Sequence, residues 1–275
     1  MVTGATSGIG KATALGLARM GATLVLVARD PVRGEAARND IAMQIGNSSV
    51  DLLLADLSSQ RSIRHLAERF QQHYPNLHVL INNAGLFSLR RRTTIDGLET
   101  MFAVNYLAPF LLTNLLLDTL KASAPARIVN VASDAHEAGY IRLDRLQSEK
   151  GYRPMRAYGQ SKLALVLFTY ELARRLEGSG VTVNALHPGF VSTNIGQTGL
   201  GSVGRAAAKF ITSRMGITPE EGAKTSIYLA SSPDVEGVTG KYFVKSVPRR
   251  SAAISYDETL QKRLWEESAR LVGLA

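Results

Sequence analysis

Thr3-Gly4-Ala5-Thr6-Ser7-Gly8-Ile9-Gly10 is the stretch that decides the fold. A strand-like Met1-Val2-Thr3 precedes it and a helical pattern, Ile9–Met20, follows. Glycines at a strand-to-helix turn allow a tight bend and close approach of a pyrophosphate, which then rests on the N–H groups of the first helical turn. The spacing is G-x-x-x-G-x-G instead of the commoner G-x-G-x-x-G. Gly4, Thr6, Ser7, Gly8, Ile9 and Gly10 are therefore candidate dinucleotide contacts, against the plainer reading of a glycine turn with no ligand. Only Met1 and Val2 stand before the turn, so several residues are expected to be missing from the start.

Beyond this turn, short apolar runs alternate with longer helical patterns. The strand candidates are Thr23–Ala28, Val50–Ala55, His78–Asn82, Arg127–Ala132, Val181–Leu186 and Lys241–Val244. Leu24-Val25-Leu26-Val27 is apolar on both faces, as in a parallel sheet covered by helices. The helix candidates are Ile9–Met20, Val32–Ile45, Ser62–His73, Leu98–Lys121, Met155–Glu177, Pro219–Ala230 and Asp257–Leu271. The alternation predicts an α/β fold: one Rossmann-like domain over residues 1–275, a doubly wound parallel sheet with helices on both faces.

Composition narrows the function classes. There is no cysteine, which excludes disulfides, thiolate metal sites and a thiol nucleophile. The longest apolar stretch, Leu107–Leu117, is too short to span a bilayer, and no signal peptide is visible. The default expectation is a cytoplasmic protein without an integral membrane segment, with peripheral membrane association left open. The net charge of +9 is scattered apart from Arg90-Arg91-Arg92 and Arg249-Arg250. No nucleic-acid partner is expected from that pattern. His136 and His187 form no metal-ligand motif, so no metal is expected.

Strand ends supply the other candidates, because ligands of open α/β sheets bind beyond the carboxyl ends of the strands. After the second strand comes Arg29-Asp30-Pro31. Asp30 before proline reads as a helix N-cap, which leaves Arg29 to pair with a 2′-phosphate and favours NADP over NAD. Lys11 is near enough to the glycine turn to assist. After the third strand, Asp56-Leu57 could touch adenine, and a helix cap is an equal alternative for Asp56. Asn82-Asn83-Ala84-Gly85 ends the fourth strand, where Asn83, Ala84 and Gly85 could pin backbone facing the cofactor. Asn105 interrupts an apolar helical pattern, Met101–Leu107. It either holds a kink and a water or faces solvent. Ser133 ends the fifth strand without a Gly-x-Ser-x-Gly elbow, which argues against an acyl-transfer nucleophile.

Tyr158-Gly159-Gln160-Ser161-Lys162 places a phenol and an ammonium four residues apart, on one helix face. A nearby cation favours phenolate, so Lys162 is expected to lower the Tyr158 pKa. A tyrosine tuned this way can exchange a proton with a substrate oxygen.

The glycine turn, Asn82-Asn83-Ala84-Gly85, Asn105, Ser133, Tyr158/Lys162 and Pro188-Gly189 occur in the order of the short-chain dehydrogenase/reductase family, which the chain resembles over nearly its whole length. Ala135-His136, Ala157–Ala164, Gly240-Lys241-Tyr242-Phe243 and Leu264-Trp265-Glu266 are similar to its retinol-dehydrogenase-like group. The resemblance implies hydride transfer between NADP(H) and a small apolar carbonyl or alcohol, such as a retinal-like or lipid aldehyde. Tyr158 would exchange the proton, Lys162 bind the nicotinamide ribose, Ser133 orient the substrate oxygen and Asn105 hold a relay water. Pro188, Gly189, Val191 and Thr193 would approach the nicotinamide. It also implies that the helix after Tyr158 helps form a homodimer, although a core helix explains its apolar surface equally well. The glycine-punctuated stretch at about 190–218 reads as a substrate lid. Other readings are an NADPH-binding regulator without turnover, a basic membrane-surface or nucleic-acid protein, and a relative of the light-dependent pigment reductases. The intact Ser133, Tyr158 and Lys162 speak against the first, the lack of a focused basic patch against the second, and the lack of cysteine against the last.

Overall fold

A computed structural model describes residues 1–46, 49–148, 151–189 and 217–275. Among the described residues, eight strands form one sheet: β1 (Val2–Thr3), β2 (Leu24–Ala28), β3 (Val50–Leu54), β4 (Val79–Asn82), β5 (Ala126–Val131), β6 (Val181–His187), β7 (Tyr242–Val244) and β8 (Val247–Arg249). Their order is β3-β2-β1-β4-β5-β6-β7-β8, and only β8 runs antiparallel to its neighbour. The chain winds outward from β1 to β3, then crosses back to β4, so the topology switches between β1 and β4. That is where an α/β sheet opens a crevice.

Register brings the candidate segments to one edge. Val2 pairs with Leu26 and Ile81, Asn82 with Asn130, Val131 with Leu186, and His187 with Val244. Thr3, Asn82, Val131 and His187 consequently end their strands on the same side. All five residues of β2 are buried. Val25 and Val27 join the core on one face, and Leu24 and Leu26 join the core on the other. A sheet dried on both faces is what the unalternating apolar runs predicted.

Helices α1 (Gly8–Arg19), α2 (Pro31–Ile45), α3 (Gln60–His73) and α7 (Pro154–Arg175), with Pro219–Ser231 and Glu258–Leu271, cover the sheet. The expected single helix Leu98–Lys121 is broken into α4 (Thr100–Phe102), a π-helical turn (Ala103–Leu107), α5 (Ala108–Leu115) and α6 (Leu117–Ala122). Pro109 has no N–H to offer the Asn105 carbonyl four residues back. The Ala108 N–H instead reaches the Ala103 carbonyl five residues back. Helix α7 is buried around most of its circumference. Trp265 of the C-terminal helix packs on Phe110 and Phe168 at 4.9 and 5.7 Å between ring centroids, and Arg175 stacks over Trp265 at 4.1 Å. The chain's own C-terminal helix therefore covers part of the apolar surface of α7. No helix among the described residues is long and apolar enough to cross a membrane.

Candidate active site

The glycine turn is built for close approach. Gly4 and Gly8 have φ of 66° and 55°, in the left-handed region. A Cβ on Gly10 would lie 2.3 Å from the Gly4 carbonyl oxygen, and one on Gly4 would lie 2.8 Å from Ala84 Cα. Asn83 locks the turn to β4: its Nδ2 donates to the Thr3 carbonyl at 2.9 Å. Thr3 Oγ1 accepts the N–H groups of Asn83 and Ala84, each at 3.0 Å. Ser7 leaves the N-terminus of α1 without a side-chain cap, whereas Asp30 and Ser59 cap α2 and α3. Thr6 and Gly8 are half-buried beside Ile9 and Gly10, which are buried. Open helix N–H groups behind a glycine turn fit the pyrophosphate of a dinucleotide.

Asp30 is the helix cap that the sequence predicts, accepting the Arg33 N–H at 2.9 Å with Pro31 at the first helical position. Arg29 at the end of β2 is exposed, and its guanidinium has no partner among the described residues. Lys11 is engaged elsewhere, 2.5 Å from Asp40. Asp56 is not a helix cap: its Oδ1 accepts Ser58 N and Oγ at 2.9 and 2.8 Å, while Ser59 caps α3. Leu57 is half-buried and packs on the core.

Asn105 does not face solvent. It is fully buried in the π-helical turn. Its Oδ1 accepts Leu86 N at 2.8 Å, and its Nδ2 donates to Leu86 O and Ser161 Oγ, both at 3.0 Å. The side-chain amide thus fixes the loop after Gly85, and both of its N–H donors are spent within the protein. A Cβ on Gly85 would stand 3.4 Å from Asn105 Oδ1 and 3.5 Å from Lys162 Nζ, so glycine keeps that space open. Beneath it, Asn82 Nδ2 donates to Asn130 Oδ1 at 2.9 Å and Asn130 Nδ2 to Thr169 Oγ1 at 2.9 Å, tying β4 and β5 to α7.

Lys162 is 4% exposed, and its Nζ donates to the Val131 carbonyl at 2.8 Å. Its other N–H donors have no acceptor among the described residues, an arrangement that fits ribose hydroxyls. Burial lowers its pKa from 10.5 to about 8. Nζ lies 5.9 Å from the centroid of the Tyr158 ring. The expected lowering of the Tyr158 pKa is not found in the protein alone. Burial pushes the phenol up, a hydrogen bond with Ser133 pulls it down, and the Asp134 charge pushes it up again. The lysine is itself dried, and drying disfavours phenolate as well as ammonium. Phe87 meets the Tyr158 ring edge-on at 5.6 Å.

Ser133 stands at the mouth of the sheet as predicted, next to Tyr158. Pro188 and Gly189 follow β6, with Gly189 at φ 92° against Ile217. Val191, Thr193 and nearly all of the expected lid, residues 190–216, lie outside the described residues. Three contributors were not singled out from sequence: Thr3, Phe87 and Asp134. A polar residue ending β1, and another directly after Ser133, were the available signals.

A family model described as short chain dehydrogenase matches residues 1–200. The chain belongs to the short-chain dehydrogenase family and is an oxidoreductase of that type. It is 47% identical to human retinol dehydrogenase 13 over 282 residues, covering 100% of this chain and 84% of that protein. It is 43% identical to human polyprenol dehydrogenase over 280 residues, with the same two coverages of 100% and 84%. Among solved structures, the Pseudomonas aeruginosa RhlG/NADP active-site complex is similar at a TM-score of 0.69 and 28% identity, over 88% of this chain and 92% of that one.

Proposed function

We propose that this protein is an NADP-dependent oxidoreductase acting on an apolar carbonyl or alcohol, of the retinal-like or polyisoprenoid class, and that it works chiefly as a reductase. The observation that carries the chemistry is the Tyr158 phenol flanked by the buried Lys162 ammonium, 5.9 Å from its ring centroid, with Ser133 just beyond the carboxyl end of β5. The cofactor, when bound, supplies the hydride. Tyr158 gives its proton to the substrate oxygen in reduction and takes one in oxidation. Lys162 holds ribose hydroxyls with its free N–H donors, and its charge favours the phenolate left by proton transfer. Ser133 orients the substrate oxygen. Asn105 shapes the floor of the site through Leu86 and Ser161, and its π-helical turn would hold a relay water. The cofactor contacts are the glycine turn from Gly4 to Gly10, Asp56 and Leu57 at the adenine end, Asn83 to Gly85, and Pro188, Gly189, Val191 and Thr193 at the nicotinamide end.

NADP preference rests on Arg29, whose exposed guanidinium is free while its acidic neighbour Asp30 is spent on α2. The apolar substrate class rests on Phe87 beside Tyr158 and on the names of the relatives. The test is NADPH oxidation with a panel of apolar aldehydes and ketones, retinal included, with NADH in parallel. Tyr158→Phe is expected to cut turnover at least about 100-fold, the usual scale of a lost general acid, with NADPH binding retained. A fully active Phe variant rejects the assignment.

A further inference from the structure

The loop that follows β4 is tied down on both sides of one side chain. The Leu86 N–H donates to Asn105 Oδ1 at 2.8 Å, and the Leu86 carbonyl accepts Asn105 Nδ2 at 3.0 Å. Two residues on, the Ser88 N–H reaches Met101 Sδ at 3.3 Å, and the Ser88 carbonyl accepts the Tyr152 hydroxyl at 3.1 Å. The Ser88 hydroxyl donates to the Arg90 carbonyl at 2.7 Å. The Leu86 carbonyl and the Ser88 N–H belong to the two peptide groups that flank the Phe87 Cα. With both held, the direction of the Phe87 side chain is set before any ligand arrives.

That side chain points at the reacting group. The Phe87 ring meets the Tyr158 ring at 5.6 Å between centroids and 75° between planes, an arrangement aromatic pairs favour. Phe87 is half-buried, so part of its apolar ring is left uncovered beside the phenol. A carbonyl oxygen that takes the Tyr158 proton brings the first carbons of its chain alongside these two rings. An α,β-unsaturated carbonyl is flat from its oxygen through its β-carbon and can lie on an aromatic surface at about 3.5–4.0 Å. A saturated chain throws hydrogens and branches out of that plane at the α- and β-carbons. A ring pinned through its backbone on both sides does not retreat to admit them, and it loses no freedom in meeting the flat chain.

We propose that Phe87 is a specificity-determining residue: among apolar carbonyl substrates it selects those that are unsaturated and flat next to the carbonyl carbon. This rests on the oxidoreductase reading above and narrows its substrate class.

Geranial and citronellal test the inference, because they share one branched skeleton and differ only in the double bond next to the carbonyl. Phe87→Leu keeps apolar bulk and loses the flat face. Phe87→Ala loses both. The first readout is equilibrium binding of each aldehyde, by calorimetry, to the full chain with saturating NADP+, which cannot reduce them. Wild type is expected to bind geranial more tightly than citronellal. Phe87→Leu is expected to shrink that preference roughly 2- to 10-fold, the scale of an aromatic contact beyond its buried area. Phe87→Ala is expected to shrink it equally and to weaken both aldehydes by about tenfold. The second readout is the ratio of kcat/KM for the two aldehydes with NADPH, which moves in the same direction. A purely structural role for Phe87 would lower both aldehydes together and leave their ratio alone. Wild-type ratios in both variants overturn the inference, as does a wild-type protein that binds the two aldehydes equally or binds neither. Lost NADPH affinity with unchanged ratios also overturns it, and makes Phe87 part of the cofactor site. If the binding preference depends on Phe87 while neither aldehyde is reduced with NADPH or NADH, the inference stands and the reductase reading of the site fails instead.

Discussion

Lys162→Met is expected to make the cofactor-free protein more stable relative to wild type near neutral pH than at alkaline pH, and to abolish most turnover. The lysine ammonium is buried, and burial lowers its pKa from 10.5 to about 8. A base whose folded pKa lies below its unfolded one opposes folding while charged. The penalty is complete below the folded value, fades as pH rises from there, and is gone above the unfolded value. The interval from 10.5 to about 8, at about 1.4 kcal/mol per pH unit, makes a cost of about 3 kcal/mol at pH 7. The charged group also donates to the Val131 carbonyl at 2.8 Å. Methionine forfeits that bond and leaves the oxygen unpaired, a loss of roughly 1–3 kcal/mol that varies little with pH.

The net stability of the variant at one pH is therefore a small difference, while its pH dependence isolates the lysine. Between about pH 7 and about pH 9.5, wild type is expected to gain about 2 kcal/mol relative to Lys162→Met, since other titrations are common to both. Urea unfolding of both proteins without cofactor, at several pH values, measures this directly. A stability gap that stays constant across the range would refute the claim that the ammonium is dried in the free protein. A gap that widens in favour of the variant as pH rises would refute its sign.

Two further predictions concern the cofactor end. Gly10→Ala puts a Cβ 2.3 Å from both the Gly4 carbonyl oxygen and Asn83 Nδ2, where backbone must yield. Thermal unfolding should fall by about 5–10 °C and NADPH affinity by at least about tenfold. Gly21→Ala, with nothing within 4 Å at φ 85°, carries only backbone strain of about 1–2 kcal/mol and should leave affinity unchanged. Arg29→Ala should raise the NADPH Kd roughly 10- to 100-fold, the range of a charge-assisted hydrogen bond, with little effect on NADH. Equal losses for both cofactors in a binding titration would remove Arg29 as the phosphate reader.

Periodicity carried the sheet because β2, β4, β5 and β6 are largely dried on both faces, and a run such as Leu24–Ala28 has no other comfortable home. β8 escaped that reading. It is a three-residue exposed edge, Val247-Pro248-Arg249, entered through Lys245 and Ser246 at φ 51° and 61° with no glycine to mark the turn. The break in Leu98–Lys121 was half legible. Pro109 and Asn105 signal a local departure from α-helix, but the burial of Asn105 depends on Leu86 and Ser161, which only tertiary structure brings to it. The cap at Asp30 was legible because its partner is three residues away. Asp56 was not, because a carboxylate before Ser58 and Ser59 can close a turn or cap a helix, and the choice is one of backbone direction.

The Tyr158–Lys162 pair marks the limit of such reading. Helical spacing fixes adjacency, and adjacency alone predicts a lowered phenol pKa. The sign in the folded chain depends on how dry the pair is and on which charges stand across the cleft, and neither is written in five residues of one helix. Asp134 is remote from that helix in sequence, yet its charge pushes the Tyr158 phenol up, while the lysine is drawn to the Val131 carbonyl. A site arranged in this way keeps both protons in place, on Tyr158 and largely on Lys162, until a ligand supplies new partners for the ammonium. Ligand contacts that raise the charged fraction of Lys162 strengthen its pull on the phenolate, so cofactor binding and proton transfer are coupled through one buried nitrogen. It follows that the acid limb for alcohol oxidation should lie well below the Tyr158 titration of the free protein, a difference that paired measurements on one preparation would reveal. Coincidence of the two would refute the coupling.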